Sequence, residues 1–333
     1  MLPSTPNNQR AEENVSLSRD GLVSVVAEDA PQIIVVVGPT GVGKTHLAIE
    51  LALRFNGEVV NADSRYLYRG MDIGVAKPTV SEQRGVPHYL IDILDPADDM
   101  SLALYQEWAM TAIDDVLTRG RLPVLVGGTP LYVNAVVEGW RIPRVPPQPV
   151  FRARLEAEAR EMGLQALTDR LATIDPIIAA RSGSNLRRVI RALEVYDVTG
   201  IPMSEQEGKG PRPFRTREFG LTMARERLYA ATDRRIDDQI TRGLVEEVKG
   251  LIDRGLPPEA PAMSAIGYRQ LVPYLNGAIS LEEAVTQIKT DTHRYVRHQE
   301  TWLRRNQQLV PIDVTLPDWV VRTADLVANF LSG

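Results

Sequence analysis

The first strongly apolar stretch of the chain is the β-branched run at residues 31–37 (PQIIVVV), which has the length of a buried strand. Glycine-rich sequence follows it directly. The amphipathic run at residues 44–55 (KTHLAIELALRF) then has the apolar spacing of a helix. The beginning of the ordered chain is therefore predicted to be a strand, a loop and a helix.

Shorter apolar runs predict further strands at residues 58–62, 88–94 and 122–126, with a helix at 102–117 between the last two. Strands that are apolar throughout and are separated by helices are typical of a parallel sheet buried on both faces. We therefore expect the first part of the chain to form such a sheet.

A proline-rich segment, residues 140–149 (WRIPRVPPQP), holds four prolines in ten residues and indicates a boundary, because proline excludes regular structure there. Beyond it, helical periodicity predicts helices at 151–173, 185–198, 225–255, 281–305 and 318–331. The segment 200–217 is rich in glycine, proline and cations, and it is interpreted as a loop.

The composition narrows the classes of function. The 333 residues, 44% of them hydrophobic, can bury a sizeable core, and the lack of cysteine excludes disulfides and thiolate chemistry. Residues 1–30 are polar and acidic, without an apolar stretch long enough for a signal sequence or membrane span. We expect a disordered tail on a cytoplasmic protein that does not enter a membrane.

The net charge of −5 argues against a protein that coats nucleic acid along its whole surface. Three segments nevertheless concentrate Lys and Arg, at residues 181–191, 209–217 and 287–305. They are interpreted either as one localised polyanion site or as solvated helix faces.

The glycine-rich loop at residues 38–45 (GPTGVGKT) satisfies the P-loop pattern G-x-x-x-x-G-K-[ST] between a predicted strand and a predicted helix. Its glycines allow backbone N–H groups to surround a phosphate, the helix start adds a positive dipole end, and Lys44 adds a charge. Thr45 is placed to hold Mg²⁺ through its hydroxyl. The predicted diphosphate-binding residues are Gly38, Pro39, Thr40, Gly41, Val42, Gly43, Lys44 and Thr45.

The P-loop alone does not choose between functions. A small-molecule kinase, a nucleotide hydrolase and a diphosphate-consuming transferase would all need this loop.

These features predict an α/β fold, a P-loop NTPase-like parallel sheet flanked by helices, with an inserted helical domain and a helical C-terminal section. The expected divisions are the tail at 1–30, the core at 31–143, the inserted module at 144–217 and the C-terminal section, packed on the core, at 218–333.

Asp63 follows the apolar run EVVNA, so it is expected at the carboxyl end of the second strand, where ligands of open α/β sheets bind. From this position its carboxylate could accept a proton from a substrate, or it could cap the next turn.

Two segments, residues 61–79 (NADSRYLYRGMDIGVAKPT) and 122–139 (LPVLVGGTPLYVNAVVEG), closely resemble the tRNA dimethylallyltransferase family, in the order expected after its P-loop. The resemblance continues through RERLY (225–229), GLVEEVKGLIDRG (243–255), SAIGYRQLVPYLNG (264–277) and RHQETWLRR, and it spans about residues 33–306.

The resemblance implies that the P-loop holds dimethylallyl diphosphate with Mg²⁺ as cofactor. The acceptor would be the exocyclic amine of the adenosine just 3′ of a tRNA anticodon, flipped out of its stack. In this scheme Asp63 accepts the amine proton, Thr129 orients the amine, and Lys44 and Arg225 neutralise the leaving diphosphate. Without the resemblance, Thr129 is interpreted as a helix cap and Arg225 as a surface residue. The family also implies a monomer.

For the tRNA anticodon stem-loop, the family pattern points to residues in five parts of the chain. They are Asp63, Ser64, Arg65, Tyr66, Thr129, Arg152, Asn185, Arg187, Arg188, Ser264, Gly267, Tyr268 and Arg269. Further candidates are Lys77, Arg294, Arg297, Arg304 and Arg305 for phosphates, and Tyr68, Tyr89 and Trp302 for base stacking, with buried packing as the alternative for these aromatics.

The chain departs from the family pattern at three positions. Tyr66 stands where the family commonly has Gln, which alters the reading of the target base. His293 and His298 stand where it has Arg or Lys, and a neutral imidazole attracts phosphate weakly.

Two other functions share the P-loop. A small-molecule kinase would use ATP there with Asp63 as base, but it leaves the GGT segment and the helical insertion unexplained. A P-loop switch or RNA-binding ATPase would hydrolyse nucleotide slowly and transfer no group.

Overall fold

The computed structural model describes residue 27 and residues 29–333, so the tail predicted at 1–30 lies almost wholly outside the described residues. The strands are β1 (Gln32–Val37), β2 (Gly57–Asn61), β3 (His88–Tyr89), β4 (Leu122–Gly127), β5 (Trp140–Arg141), β6 (Gly208–Lys209), β7 (Arg215–Thr222) and β8 (Val310–Asp313). The helices of the first half are α1 (Lys44–Arg54), α2 (Val80–Gln83), α3 (Leu102–Thr118), α4 (Pro130–Val137), α5 (Pro149–Met162), α6 (Leu164–Ile174) and α7 (Pro176–Ser182). Those of the second half are α8 (Leu186–Thr199), α9 (Met203–Gln206), α10 (Arg225–Thr241), α11 (Leu244–Asp253), α12 (Tyr268–Leu275), α13 (Leu281–Arg305) and α14 (Trp319–Ser332).

The main sheet has six parallel strands in the order β3-β2-β4-β1-β7-β8, which confirms the predicted α/β fold. Successive residues of β1 enter different cores, because side chains alternate between the two faces of a strand. Ile33 and Val35 pack in one cluster with α3, α4 and α12, and Ile34 and Val36 pack in the other with α1 and α14. This burial on both faces explains why β1 is apolar throughout.

A separate helical core lies in the inserted part of the chain. Apolar side chains of α5, α6, α7 and α8, such as Leu155, Leu171 and Val189, form their own buried cluster. Strands β5 and β6 pair antiparallel where the chain leaves and re-enters the sheet region.

Four predicted elements are wrong in part. The helix predicted at 151–173 breaks at Gly163, where φ is 83°, into α5 and α6. The strand predicted at 88–94 ends at Tyr89, because Leu90 and Asp92 adopt left-handed backbone angles (φ 61° and 57°) that a strand cannot contain. The helix predicted at 225–255 breaks at Gly243, where φ is 103°. The loop predicted at 200–217 ends in β7, which pairs with β1 from Arg215 opposite Gln32 to Gly220 opposite Val37 and runs across the boundary expected at 217.

Among the described residues, we find no helix that combines the length and the apolar character needed to cross a membrane.

Candidate active site

The strand order brings three loops together at the carboxyl edge of the sheet. β4 lies between β1 and β2, so the turn that follows β4 lies between the P-loop and Asp63. Gly127 ends β4, and a Cβ there would lie 2.1 Å from the backbone of Ala62, which leaves room for glycine alone. The N–H of Thr129 donates to the carbonyl of Ala62 (3.2 Å), which fixes this turn against the end of β2.

The P-loop joins β1 to α1 with the backbone expected for an anion site. Gly41 and Gly43 have φ of 82° and 102°, in the region that favours glycine, and Gly43 directly precedes α1. A Cβ on Gly41 would approach the Thr232 methyl group of α10 to 2.9 Å. The first N–H groups of a helix have no partner within it, so they are free to bind an anion.

Lys44 is the cation of the P-loop, and its Nζ donates to the carbonyl oxygen of Pro39 at 2.9 Å. Burial lowers the pKa of Lys44 to about 8, an effect that the negative charge of Asp63 opposes and the positive charge of Arg235 reinforces. A bound diphosphate would add negative charge at this position and favour the ammonium form.

Asp63 is held in a defined turn after β2. Its N–H donates to Asn61 Oδ1 (2.8 Å), and its own Oδ1 accepts from the N–H of Arg65 (3.0 Å). The N–H of Ser64 donates to Thr129 Oγ1 (3.0 Å), so Thr129 contacts the Asp63 turn directly. Thr129 occupies the N-cap position of α4, as the helix-cap interpretation predicts, but its side chain accepts no bond from the helix and contacts the Asp63 turn instead.

Two cavities meet at Asp63. The P-loop cavity, about 670 Å³, is lined by Thr40, Gly41, Gly43, Lys44 and Thr45 together with apolar side chains. The α13 cavity, about 570 Å³, is lined by Ser64, Arg65, Thr129, Ser264, Arg269 and residues of α13. Thr40, Asp63, Val75, Arg235 and Gln239 line both cavities. A carboxylate, a cation and a P-loop residue therefore stand at the junction.

Not every P-loop residue lines the cavity. Gly38, Pro39 and Val42 are absent from its described lining; Val42 is buried in the core, and a Cβ on Gly38 would lie 2.8 Å from the Val42 side chain. These three residues shape the loop, while the other five face the cavity.

Arg235 of α10 is the cation that the sequence analysis missed. It lines both cavities, and its guanidinium donates to the carbonyl of Val75 (3.3 Å). Arg225 lies outside both sets of lining residues, and its guanidinium is paired with Glu300 Oε2 at 2.6 Å. The structure brings Arg235 to the junction, and the role of Arg225 stays a prediction.

Tyr66 lines the P-loop cavity, and its hydroxyl donates to the carbonyl of Ala76 (2.8 Å). Burial, together with the nearby charge of Asp63, raises the pKa of Tyr66 to about 12. The phenol is therefore a neutral hydrogen-bonding group at neutral pH. Tyr66 therefore lies on the side of the P-loop and is not among the residues that line the α13 cavity.

Six of the residues predicted to bind tRNA line the α13 cavity, namely Asp63, Ser64, Arg65, Thr129, Ser264 and Arg269. The guanidinium of Arg65 donates to Ser264 Oγ (3.0 Å), and that of Arg269 is paired with Asp291 (2.8 Å). Arg294 and His298 of α13 line the same cavity. This cavity therefore has a cationic rim.

Other predicted contacts have structural roles instead. The Tyr268 side chain is fully buried and its hydroxyl donates to Glu247, so it cannot reach a nucleic acid. Gly267 (φ 100°) directly precedes α12 as its N-cap residue. The Lys77 ammonium is buried between Asp72 and Asp92 (2.6 Å each), which removes it from phosphate binding.

The remaining predicted tRNA contacts lie in the inserted helices. Arg152 forms a two-pronged pair with the buried Glu194 (2.7 and 2.8 Å), and the guanidinium holds the pKa of that carboxyl well below its usual range, against the opposing effect of burial. Asn185 caps α8 by accepting from the N–H of Arg188 (3.2 Å). Arg187 and Arg188 are exposed on α8, where a partner could reach them.

The aromatic candidates pack in the protein. Tyr68 is buried in the core, the Tyr89 hydroxyl donates to Glu58 (2.8 Å), and Trp302 packs against the core that contains α3. The packing alternative is confirmed for Tyr68. On α13, Arg297 and Arg304 are exposed, while His293 stacks on Tyr229 and contacts Asp233 (2.8 Å).

Thr45, the residue predicted to hold Mg²⁺, lies in the P-loop cavity and has a hydroxyl of the kind that Mg²⁺ binds. Within the described residues there is no cluster of three or more His, Asp or Glu side chains with metal-site geometry. Mg²⁺ commonly keeps few protein ligands and takes the rest from phosphates and water, and the Thr45 hydroxyl lines the P-loop cavity.

Comparison with known proteins identifies the family. The model of the IPP transferase family matches residues 66–306. The tRNA dimethylallyltransferase of Thermomicrobium roseum is 58% identical over 300 residues, which cover 90% of this chain and 91% of that protein.

Solved structures are similar over the same range. The tRNA isopentenylpyrophosphate transferase of Bacillus halodurans superposes with a TM-score of 0.68 at 41% identity, covering 90% of this chain and 97% of the other. A eukaryotic dimethylallyltransferase acting on tRNA gives a TM-score of 0.78 at 28% identity, covering 91% and 80%. The chain has a parallel sheet with this P-loop, and the family model matches most of the chain's length. The chain is therefore a member of the IPP transferase family.

Proposed function

We propose that the protein transfers the dimethylallyl group of dimethylallyl diphosphate to the N6 amine of the adenosine 3′ to the anticodon in tRNA, releasing diphosphate. The observation that carries this proposal is the meeting of two cavities at Asp63, one lined by a phosphate loop and the other by cationic side chains. A reaction between a diphosphate and a base needs two such binding sites, with a proton acceptor at their junction.

The diphosphate is proposed to bind in the P-loop cavity. The N–H groups at the start of α1, the Lys44 ammonium and the Arg235 guanidinium would oppose its charge as it leaves. Apolar side chains of the same cavity, Ile49, Val59 and Val126, offer a surface for the five-carbon chain. When bound, Mg²⁺ at Thr45 would supply further positive charge to the diphosphate oxygens.

The acceptor adenosine is proposed to enter through the α13 cavity. Arg65, Arg269 and Arg294 line it, and they would hold phosphates on either side of a flipped base. Thr129 presents its hydroxyl between this cavity and Asp63, where it could orient the amine. The exposed Arg187 and Arg188 of the inserted module would extend the contact along the anticodon stem.

In the reaction, the N6 lone pair forms the bond to C1 of the prenyl group as the bond from C1 to the diphosphate oxygen breaks. The electron pair of that bond leaves with the diphosphate, and the proton released from N6 passes to the Asp63 carboxylate. Since one chain supplies both cavities, we propose a monomer, and a tRNA substrate implies a cytoplasmic enzyme.

The decisive experiment follows a label. Protein, Mg²⁺ and unmodified tRNA are incubated with dimethylallyl diphosphate labelled in the prenyl group, and in parallel with γ-labelled ATP. We expect the prenyl label in tRNA and no transfer of the ATP label. Phosphate transfer or ATP hydrolysis without prenylation would overturn the proposal in favour of a kinase or an ATPase.

A further inference from the structure

One buried side chain connects the P-loop to the turn after β4. Gln299 lies in the second half of α13, and only 4% of it is exposed. Its Oε1 accepts from the N–H of Thr40 (2.9 Å), and its Nε2 donates to the carbonyl of Gly128 (2.9 Å). A single amide therefore bridges the two loops with one bond to each.

The two partners belong to opposite sides of the proposed reaction. Thr40 is in the loop proposed to hold the diphosphate, and Gly128 precedes Thr129, which is proposed to orient the amine. The bridge is tightly enclosed, because a Cβ on Gly128 would lie 2.6 Å from Gln299 Nε2 and 3.5 Å from Lys44 Nζ. A change in this amide therefore acts on the spacing between the two loops.

The fold does not depend on this bridge for its strand pairing. β1 and β4 are already paired in register from Ile34 with Val124 to Val37 with Gly127. The amide acts beyond the strand ends, where the loops leave the ladder of backbone hydrogen bonds. From the same helix, the Tyr295 hydroxyl reaches the Gly128 carbonyl at a longer 3.3 Å, so Gln299 is the closer contact.

We propose that Gln299 is a positioning residue that sets the distance between the leaving diphosphate and the attacking amine. The proposal rests on the proposed function, because it assigns Thr40 to the donor and Thr129 to the acceptor. In this role Gln299 contacts neither substrate and acts through these two loops. A displacement of about 1 Å between reacting groups can reduce the rate on the order of 10²-fold.

The test compares Gln299→Met, which keeps the volume but makes neither bond, with Gln299→Asn, whose shorter amide cannot span both partners. Gln287→Met is the matched control, because Gln287 is exposed on the same helix. We measure single-turnover prenyl transfer, KM for dimethylallyl diphosphate and for tRNA, and the melting temperature of each variant.

We expect kcat to fall about 10- to 100-fold in both Gln299 variants, with each KM within about threefold of the wild type. The control should match the wild type. A kcat within twofold of the wild type in a folded Gln299 variant overturns the positioning role. Loss of folding in both variants also overturns it, because the amide would then serve the fold. A wild-type protein that transfers no prenyl group would instead refute the proposed function.

Discussion

Replacing Asp63 with asparagine removes the proposed proton acceptor and leaves the surrounding turn intact. The carboxylate Oδ1 accepts from the N–H of Arg65 at 3.0 Å, and the amide oxygen of asparagine can accept the same bond. The bond from the Asp63 N–H to Asn61 involves the backbone and is unchanged by the substitution. The substitution therefore removes proton transfer while it keeps the shape of the junction between the two cavities.

The size of the effect follows from the chemistry lost. A positioned general base contributes about 10²- to 10⁴-fold to a rate, which corresponds to about 3–5 kcal/mol in the barrier. A second effect acts through Lys44, since the charge of Asp63 raises the pKa of that ammonium. In Asp63→Asn the pKa of Lys44 should lie below about 8, so the comparison is best made at pH 7 or lower.

The assay measures single-turnover transfer of labelled prenyl groups with saturating tRNA, and tRNA affinity by filter binding at the same salt concentration. We expect turnover to fall at least 10²-fold while the dissociation constant for tRNA changes by less than about threefold. Asp95→Asn is the matched control, because Asp95 Oδ1 accepts from the Ala97 N–H at the same 3.0 Å but lies outside the lining of both cavities. Equal losses of turnover and affinity would show that Asp63 binds RNA and does not act as a base.

Three further predictions concern the cations and the loop around the junction. Because burial lowers the pKa of Lys44 to about 8, kcat/KM for dimethylallyl diphosphate should fall as pH rises through that value; a flat profile from pH 7 to 9.5 contradicts this. Arg235→Gln should lower kcat about 10²-fold, whereas the exposed neighbour in Arg234→Gln should have little effect in the same assay. Glu247 accepts hydrogen bonds from the N–H groups of residues 72–74. Glu247→Leu should therefore lower the free energy of unfolding, measured by urea titration, by about 3 kcal/mol. A decrease of less than about 1 kcal/mol would contradict this structural role.

The buried part of the sheet was predictable because its strands are apolar on both faces. β1, β2 and β4 lie within a residue or two of their predicted bounds. β7 was missed because its first half, RTR, is polar and follows a segment rich in glycine and proline. Its pairing with β1 decides its structure, and a pairing between distant segments leaves little trace in a local pattern.

The site shows the same contrast between residues that a local pattern places and residues whose position depends on distant segments. Asp63 and the P-loop could be placed from sequence because each directly follows a predicted strand, and parallel strands end at one edge. Arg235 and Gln299 come from long amphipathic helices that are distant in the chain, where many arginines and glutamines share one pattern. Tyr268, marked by the family pattern, and Lys77, a further phosphate candidate, show the reverse error. Both were expected to contact RNA, but the structure uses their side chains to anchor the loop at residues 72–77.

The strand order leaves space for an acceptor between the P-loop and Asp63, as the proposed transfer requires. Because β4 separates β1 from β2, the P-loop and Asp63 rise from strands two spacings apart, which is about 10 Å. A reacting carbon and nitrogen approach each other to about 3 Å, and a base accepts a proton from a donor about 2.8 Å away. A bound diphosphate, the prenyl carbon and the amine would therefore fill the distance between the P-loop and Asp63. In the proposed reaction the intervening turn after β4 would lie beside the attacking nitrogen, and Thr129 of this turn lines the α13 cavity.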